Sequence, residues 1–361
     1  MKDAVFKSTR WSAYTLAASR ILALVSYVYV AREIGPEALG LLAIVFLVLE
    51  FLNVIAEAGI SSALIQAKDT TRRQRATLYS IEWILALVVF SIAVVVSIAL
   101  SRYFESPELP DLLLVASVSL PLSTAGRQIM ALMQRSFSFK ALRIFELSRD
   151  TLRFVAVILL VSIGFDIWSV VIAHVISVAA FQLMLLSYGM RHRLFSGFGF
   201  SLTETRQLLR FGMYRSGSLF LNRVAARVDQ ALIAGFLGPV ELGAYSLASR
   251  LTSTALMQLQ SVTSSVSFSM FSNRQHDIEF AKRTFLRLIS LQAFVVLPLI
   301  IWLIVASEAL VQIVLGDEWL GVHVLINILA LFSVVRMLEA SSIPLVNSIE
   351  FHVAKGKRKA G

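Results

Sequence analysis

The chain has 361 residues, 57% hydrophobic and only 16% charged, with net charge +10, mean hydropathy +0.76 and no cysteine. A soluble protein of this size is nearer half apolar and a quarter charged, so the composition excludes a soluble enzyme, a disordered chain and a disulfide scaffold. The missing thiols exclude cysteine catalysis and cysteine-ligated zinc.

In chain order, ten apolar stretches approach the roughly 20 residues that span a bilayer: 11–32, 38–62, 76–101, 111–133, 148–164, 167–190, 211–234, 241–266, 284–306 and 322–347. The first lacks a small-residue cleavage site and reads as a span, not a signal peptide. Basic residues cluster in alternate gaps. They occupy the N-terminal arm (Lys2, Lys7, Arg10), the loops after spans two, four, six and eight, and the tail (Lys355, Lys357, Arg358, Lys359). The opposite loops hold Arg32 and Arg102 but many acids, among them Glu37, Glu105, Asp166, Glu241 and Asp317. The positive-inside rule predicts both termini in the cytoplasm. The net charge therefore reads as topology, with no nucleic-acid partner. The stretch 135–153 alternates basic and apolar residues at helical spacing and predicts an amphipathic helix lying at the cytoplasmic interface. Pro121 and Pro298 predict bends inside spans four and nine.

The chain repeats itself. Ile34-Gly35-Pro36-Glu37-Ala38-Leu39-Gly40 matches Leu237-Gly238-Pro239-Val240-Glu241-Leu242-Gly243, Arg20 falls on Arg223, and Ser61-Ser62 falls on Ser264-Ser265. The motif predicts a tight hairpin. Glycine ends one helix, proline opens the next, and the second glycine permits close packing. Spans one and two correspond to seven and eight, and an even number of spans separates them. The repeat is parallel, with its axis along the membrane normal, a transporter plan. The expected division is an N-terminal six-helix bundle over 1–195, a C-terminal bundle over 196–348 and a basic cytoplasmic tail over 349–361. The second half has four spans against six, which predicts an incomplete, truncated repeat.

Charges inside spans are costly, about 2.5–3.5 kcal/mol each at the bilayer centre on insertion scales, and so point to function. The candidates are Arg20, Glu50, Glu57, Arg215, Arg223, Arg227, Asp229 and Arg250. Glu50, Asn53 and Glu57 share one helical face. Ser246, Arg250, Ser253 and Gln260 share one in span eight, where Ser253 and Gln260 are the repeat equivalents of Glu50 and Glu57. Arg223 and Arg227 lie one turn apart and repel unless an anion or water separates them. A plain structural reading pairs Arg20 with Glu50 and gives Asp229 to another arginine. The surplus of arginines over acids instead favours a hydrated cavity that attracts anions, and guanidinium forks suit a pyrophosphate. His174 reads as a packed residue rather than a proton relay. The histidines have no metal-ligand spacing, so neither metal nor other cofactor is expected. There is no P-loop, HExxH or GxSxG motif and no long loop on the acidic side, so no catalytic residues are assigned.

An ordered set of second-half residues carries a family resemblance: Phe211-Gly212, Asn222-Arg223, Arg227-Val228-Asp229, Leu232-Ile233-Ala234-Gly235, Leu237-Gly238-Pro239 and Leu242-Gly243-Ala244-Tyr245-Ser246-Leu247-Ala248. The first half adds Ile34-Gly35-Pro36 and Gln134-Arg135-Ser136-Phe137-Ser138-Phe139. Over about residues 5–348 the chain resembles bacterial polysaccharide-unit flippases. These form the polysaccharide-transporter branch of the multidrug/oligosaccharidyl-lipid/polysaccharide (MOP) exporter superfamily. The resemblance implies an all-α polytopic membrane protein with two bundles in a V around a central cavity. It implies alternating-access transfer of undecaprenyl-pyrophosphate-linked oligosaccharide across the bacterial inner membrane, for O-antigen, capsule or exopolysaccharide. The implied partners are that lipid-linked oligosaccharide, membrane lipids and polymerase or assembly proteins, with the chain itself a monomer. The competing functions are a multidrug-type exporter, which the arginine surplus opposes, a polymerase or ligase of the same pathway, and a non-transporting scaffold.

Overall fold

The computed structural model describes residues 2–67, 69–254, 278–336 and 338. The end of span eight with Gln260 and Ser264-Ser265, the end of span ten and the tail lie outside the described residues. The chain divides into two compact units at the Gly243–Ala244 bond.

In the first unit the elements are α1 (Lys2–Glu57), α2 (Ile60–Gln66), α3 (Arg72–Tyr103), α4 (Leu109–Ser117), α5 (Ser119–Arg135), α6 (Phe139–Ser162), α7 (Trp168–Arg191) and α8 (Leu202–Leu237). Helix α9 starts at 239 and is described to 254. The second unit adds α10 (Ile278–Val314), a 3-10 turn at Asp317–Trp319 and α11 (Val322–Arg336). Among the described residues, five helical stretches are long and apolar enough to cross a membrane: Ala18–Glu57, Arg72–Tyr103, Leu109–Arg135, Trp168–Arg191 and Gln292–Val314. The all-helical membrane architecture expected from the sequence is what the chain adopts.

The first stretch has 40 residues. At 1.5 Å per residue that is about 60 Å, twice a ~30 Å hydrocarbon core. It is two helices meeting at Gly35 (φ 77°, ψ 177°), a conformation open only to glycine. Gly238 repeats it (φ 98°, ψ −176°), so the two halves of the sequence repeat share their backbone turn. Gly316 adopts it a third time (φ 98°, ψ 176°), within Leu315-Gly316-Asp317-Glu318-Trp319-Leu320-Gly321, a further L-G-x-x-x-L-G hairpin. There Trp319 is buried, and Val296, Ile300, Leu303 and Val311 are buried along one stripe of α10.

Helix α3 shows how the residues sort themselves. Ile84, Leu87, Val88, Ile92, Val95 and Ile98 are exposed along one stripe, as lipid-facing side chains are. Ala86, Val89, Ala93 and Ser97 are buried along the opposite stripe. Lipid is as apolar as leucine, so small residues that let helices approach closely mark the packed face. Thr71 and Gln74 form a reciprocal capping box at its start, with bonds of 3.1 and 3.0 Å. Thr71→Ala removes one of these and is expected to cost about 1 kcal/mol. That should lower the thermal midpoint in detergent by about 2 °C; an unchanged midpoint would show the cap to be idle.

Two spans differ from their sequence reading, and a third breaks where its proline predicts a bend. Span four is two helices, α4 and α5, broken at Val118. Pro121 has no amide hydrogen for the Ser117 carbonyl, so the ladder fails there, as the proline predicts. Span two ends at Glu57, because Ala58 (φ 48°) and Gly59 (φ 65°) are left-handed. Gly59 lies so close to the Gly212 carbonyl of α8 that a methyl would overlap it. The stretch 135–153 is not a separate interfacial helix. From Phe139 it runs unbroken into span five as α6, packed on α1 and α7. Nothing in the sequence breaks that helix, and aromatic faces of its neighbours receive the arginines. Arg149 stands 5.0 Å from the Phe181 ring centroid and Arg153 5.5 Å from that of Phe46. His174 meets Phe46 edge-on at 5.2 Å, the packed role expected for it.

Helix α8 opens the second half of the sequence repeat, yet it packs on α1, α2 and α3. The segment leading into it is strapped to α3. The Gly199 and Ser201 amides donate to Ser80 Oγ (3.0 Å) and Thr77 Oγ1 (2.8 Å), and Tyr79 packs against Phe195 and Phe198. The repeat thus divides the sequence near 195, while the compact units part at 243.

Candidate functional site: a carboxylate shared by two arginines

Glu50 lies seven residues before the end of α1, on the face it shares with Asn53 and Glu57. Its two oxygens are held by different arginines of α8. Arg223 Nη1 donates to Oε1 at 2.5 Å, and Arg227 Nε donates to Oε2 at 3.0 Å. The spacing explains the geometry. Residues one turn apart on α8 project side by side, and a carboxylate between them removes their repulsion. The separating anion is thus a residue of the chain itself.

The cluster is incompletely neutralised, since two guanidiniums share one carboxylate. It is also accessible: the Arg223 side chain is 52% exposed, Arg227 38% and Glu50 24%. Several guanidinium donors remain available to an incoming anion, because each fork carries five N–H groups. Asn53, the next residue on the same face, accepts from Arg127 Nη2 of α5 at 2.9 Å. Polar side chains of α1 therefore reach both α8 and α5.

The remaining sequence candidates fall elsewhere. Arg20 is half-buried on α1 and makes no ion pair with Glu50; among the described residues the ion pairs of Glu50 are those to Arg223 and Arg227. Glu57 is half-buried at the end of α1. Arg215 is exposed on α8. Asp229 is half-buried and accepts from the Gln230 amide at 2.8 Å. Arg250 belongs to the second unit, where it is exposed and its carbonyl accepts from Ser253 Oγ at 3.3 Å. No three metal-ligating side chains come together among the described residues.

Sequence reading passed over one group. Glu82 lies alone in the apolar run of α3 and is wholly buried, next to Arg127 and Gln128 of α5. The signal was a single carboxyl inside Ile81-Glu82-Trp83-Ile84-Leu85-Ala86-Leu87.

The ends of α8 complete the setting. At the basic end Gln74 Nε2 donates to the Glu204 carbonyl at 2.9 Å. At the acidic end Tyr103 Oη donates to the Gly235 carbonyl at 2.6 Å. There the two repeated hairpins also pack on each other reciprocally. Gly40 lies against the Pro239 carbonyl and Gly243 against that of Pro36, each so close that a Cβ would overlap it.

Comparison with known proteins agrees with this architecture. Residues 29–324 match the family model described as "Polysaccharide biosynthesis protein". The teichuronic acid biosynthesis protein TuaB of Bacillus subtilis (strain 168) is 26% identical over 291 residues, 80% of this chain. The chain spans 59% of the length of TuaB. The succinoglycan biosynthesis transport protein ExoT of Rhizobium meliloti (strain 1021) is 27% identical over 332 residues, 91% of this chain and 66% of ExoT. The solved lipid II flippase MurJ, in an inward closed conformation, shares the fold. It has a TM-score of 0.76 at 15% identity, over 94% of this chain and 76% of that one. With a match that runs from the first hairpin into the last described helix, this multi-pass membrane chain belongs to the polysaccharide biosynthesis protein family.

Proposed function

We propose that the chain is a flippase, a transporter and not an enzyme. It moves undecaprenyl-pyrophosphate-linked oligosaccharide units across the bacterial inner membrane by exposing a guanidinium-rich site to the two sides in turn. One observation carries the reading: two arginines of α8 share a single carboxylate and remain open to a further anion. Guanidinium forks bind phosphate oxygens in pairs, and an arginine surplus draws an anion in. The names of ExoT and MurJ support a transport step acting on polysaccharide precursors or lipid-linked sugars. The basic loops support cytoplasmic termini. Arg20 and Arg215 extend the attraction along the route, while Glu57 and Asp229 balance its charge; Arg250 adds a further cation in the second unit. The bundles 1–195 and 196–348 act as its two halves, and a single chain suffices.

The test is complementation of a strain that has lost its own exporter of such units. Restored surface polysaccharide is the expected result. Normal membrane insertion without any restored polysaccharide would remove the transport reading. An acidic substrate site would have favoured drug cations; the arginine surplus argues against that exporter class.

A further inference from the structure

Glu82 is wholly enclosed, and neither of its carboxylate oxygens has a hydrogen-bond partner. The groups that act on it are Arg127 and Gln128 on α5 and Glu57 on α1. Helices α4 and α8 also pack on α3 but bring no charged group to it among the described residues. Arg127 is itself 6% exposed. It gives Nη2 to the neutral Asn53 amide and leaves Nη1 without a partner, and Gln128 Nε2 is likewise unpartnered. Gln128 is near enough to act on the carboxyl as a hydrogen-bonding side chain, yet no bond joins the carboxyl to Arg127.

An ionised carboxylate cannot rest this way. Enclosed charge without donors costs several kcal/mol, and such a group sheds the cost by becoming neutral. Arginine stays charged. A charged guanidinium that bonds a neutral amide while the carboxyl beside it goes without an ion pair is the arrangement an uncharged carboxyl leaves. A metal cation would meet the Arg127 charge at close range, so the neutralising ligand is a proton.

We propose that Glu82 is a proton-binding site, and that release of its proton to the aqueous phase transfers Arg127 from Asn53 to Glu82. Asn53 is one helical turn from Glu50. Freeing it alters the α1 face that holds Arg223 and Arg227, which links proton binding to the tie between α1 and α8. The link to export rests on the flippase reading; the proton site itself does not.

Infrared spectroscopy of the purified full chain tests the site. The expected result is a carbonyl stretch from a buried protonated carboxylic acid at neutral pH, lost in Glu82→Gln and shifted in Glu82→Asp. The aspartate variant keeps the assignment if the glutamine variant does not fold. Absence of that band in the unaltered protein at neutral pH overturns the proposal, whatever the protein transports. In cells, Glu82→Gln or Glu82→Asp protein that inserts normally should export at least tenfold less. Full export by both would overturn the link between the proton and transport.

Discussion

Arg223→Ala is expected to reduce polysaccharide export by about tenfold to a hundredfold, and Arg223→Ala with Arg227→Ala to abolish it, while both proteins still insert. A hydrogen bond to a charged group contributes about 1.5–3 kcal/mol, and each 1.4 kcal/mol is tenfold. Stability should suffer little, because Arg223 is half exposed and accessible ion pairs contribute only about 0–1 kcal/mol. Glu50→Gln acts in the other direction. It strips both arginines of their shared counter-charge, so on the flippase reading the pyrophosphate lipid is held more tightly and turnover slows. The swapped pair Glu50→Arg with Arg223→Glu separates the roles. It restores an ion pair but rearranges the site, so export should stay low. Full recovery in the swap would mean that these residues merely hold α1 to α8.

Gly40→Val should force apart the hairpins at the acidic end. Its side chain would enter space occupied by the Pro239 carbonyl, and a backbone group cannot turn aside as a flexible side chain can. Overpacking of this kind costs about 1–3 kcal/mol. The cost falls on the state in which the hairpins touch and shifts the balance between packed and separated hairpins by about fivefold to a hundredfold. Because the chain has no cysteine, a single Leu242→Cys reporter is unambiguous. Leu242 is fully buried, so maleimide labelling should be slow in the otherwise unaltered protein and at least fivefold faster with Gly40→Val. Gly243→Val, which meets Pro36 reciprocally, should give the same result with a Leu39→Cys reporter. Equal labelling rates with and without the valine would show that this contact is no latch. On the flippase reading, export should fall in both valine variants, since a transporter biased to one state cycles slowly.

Much of the site was legible before any coordinates. Glu50, Arg223 and Arg227 drew notice as charges at bilayer depth, and their helical spacing predicted which would share a face. Their partnership was not legible. Arg20 was an equally good partner for Glu50 by hydropathy and depth, and only the docking of α8 on α1 decided between them. Glu82 escaped because one acid in a long apolar run scarcely changes its mean hydropathy. Its meaning comes from Arg127 and Gln128, some 45 residues further along the chain.

The sequence by itself determined the solvent, the helical class, the basic and acidic ends, and the repeated glycine-proline hairpins. These depend on composition, on period and on backbone conformations few residues adopt, all properties of short stretches. Tertiary structure alone decided that two arginines close on one carboxylate, that α8 docks on α1, α2 and α3, and that Glu82 is enclosed beside Arg127. Such outcomes depend on which helices touch. Helix association in lipid lacks the hydrophobic force that makes burial readable from pattern, and turns instead on close fits such as Gly59 against Gly212 and Gly40 against Pro239.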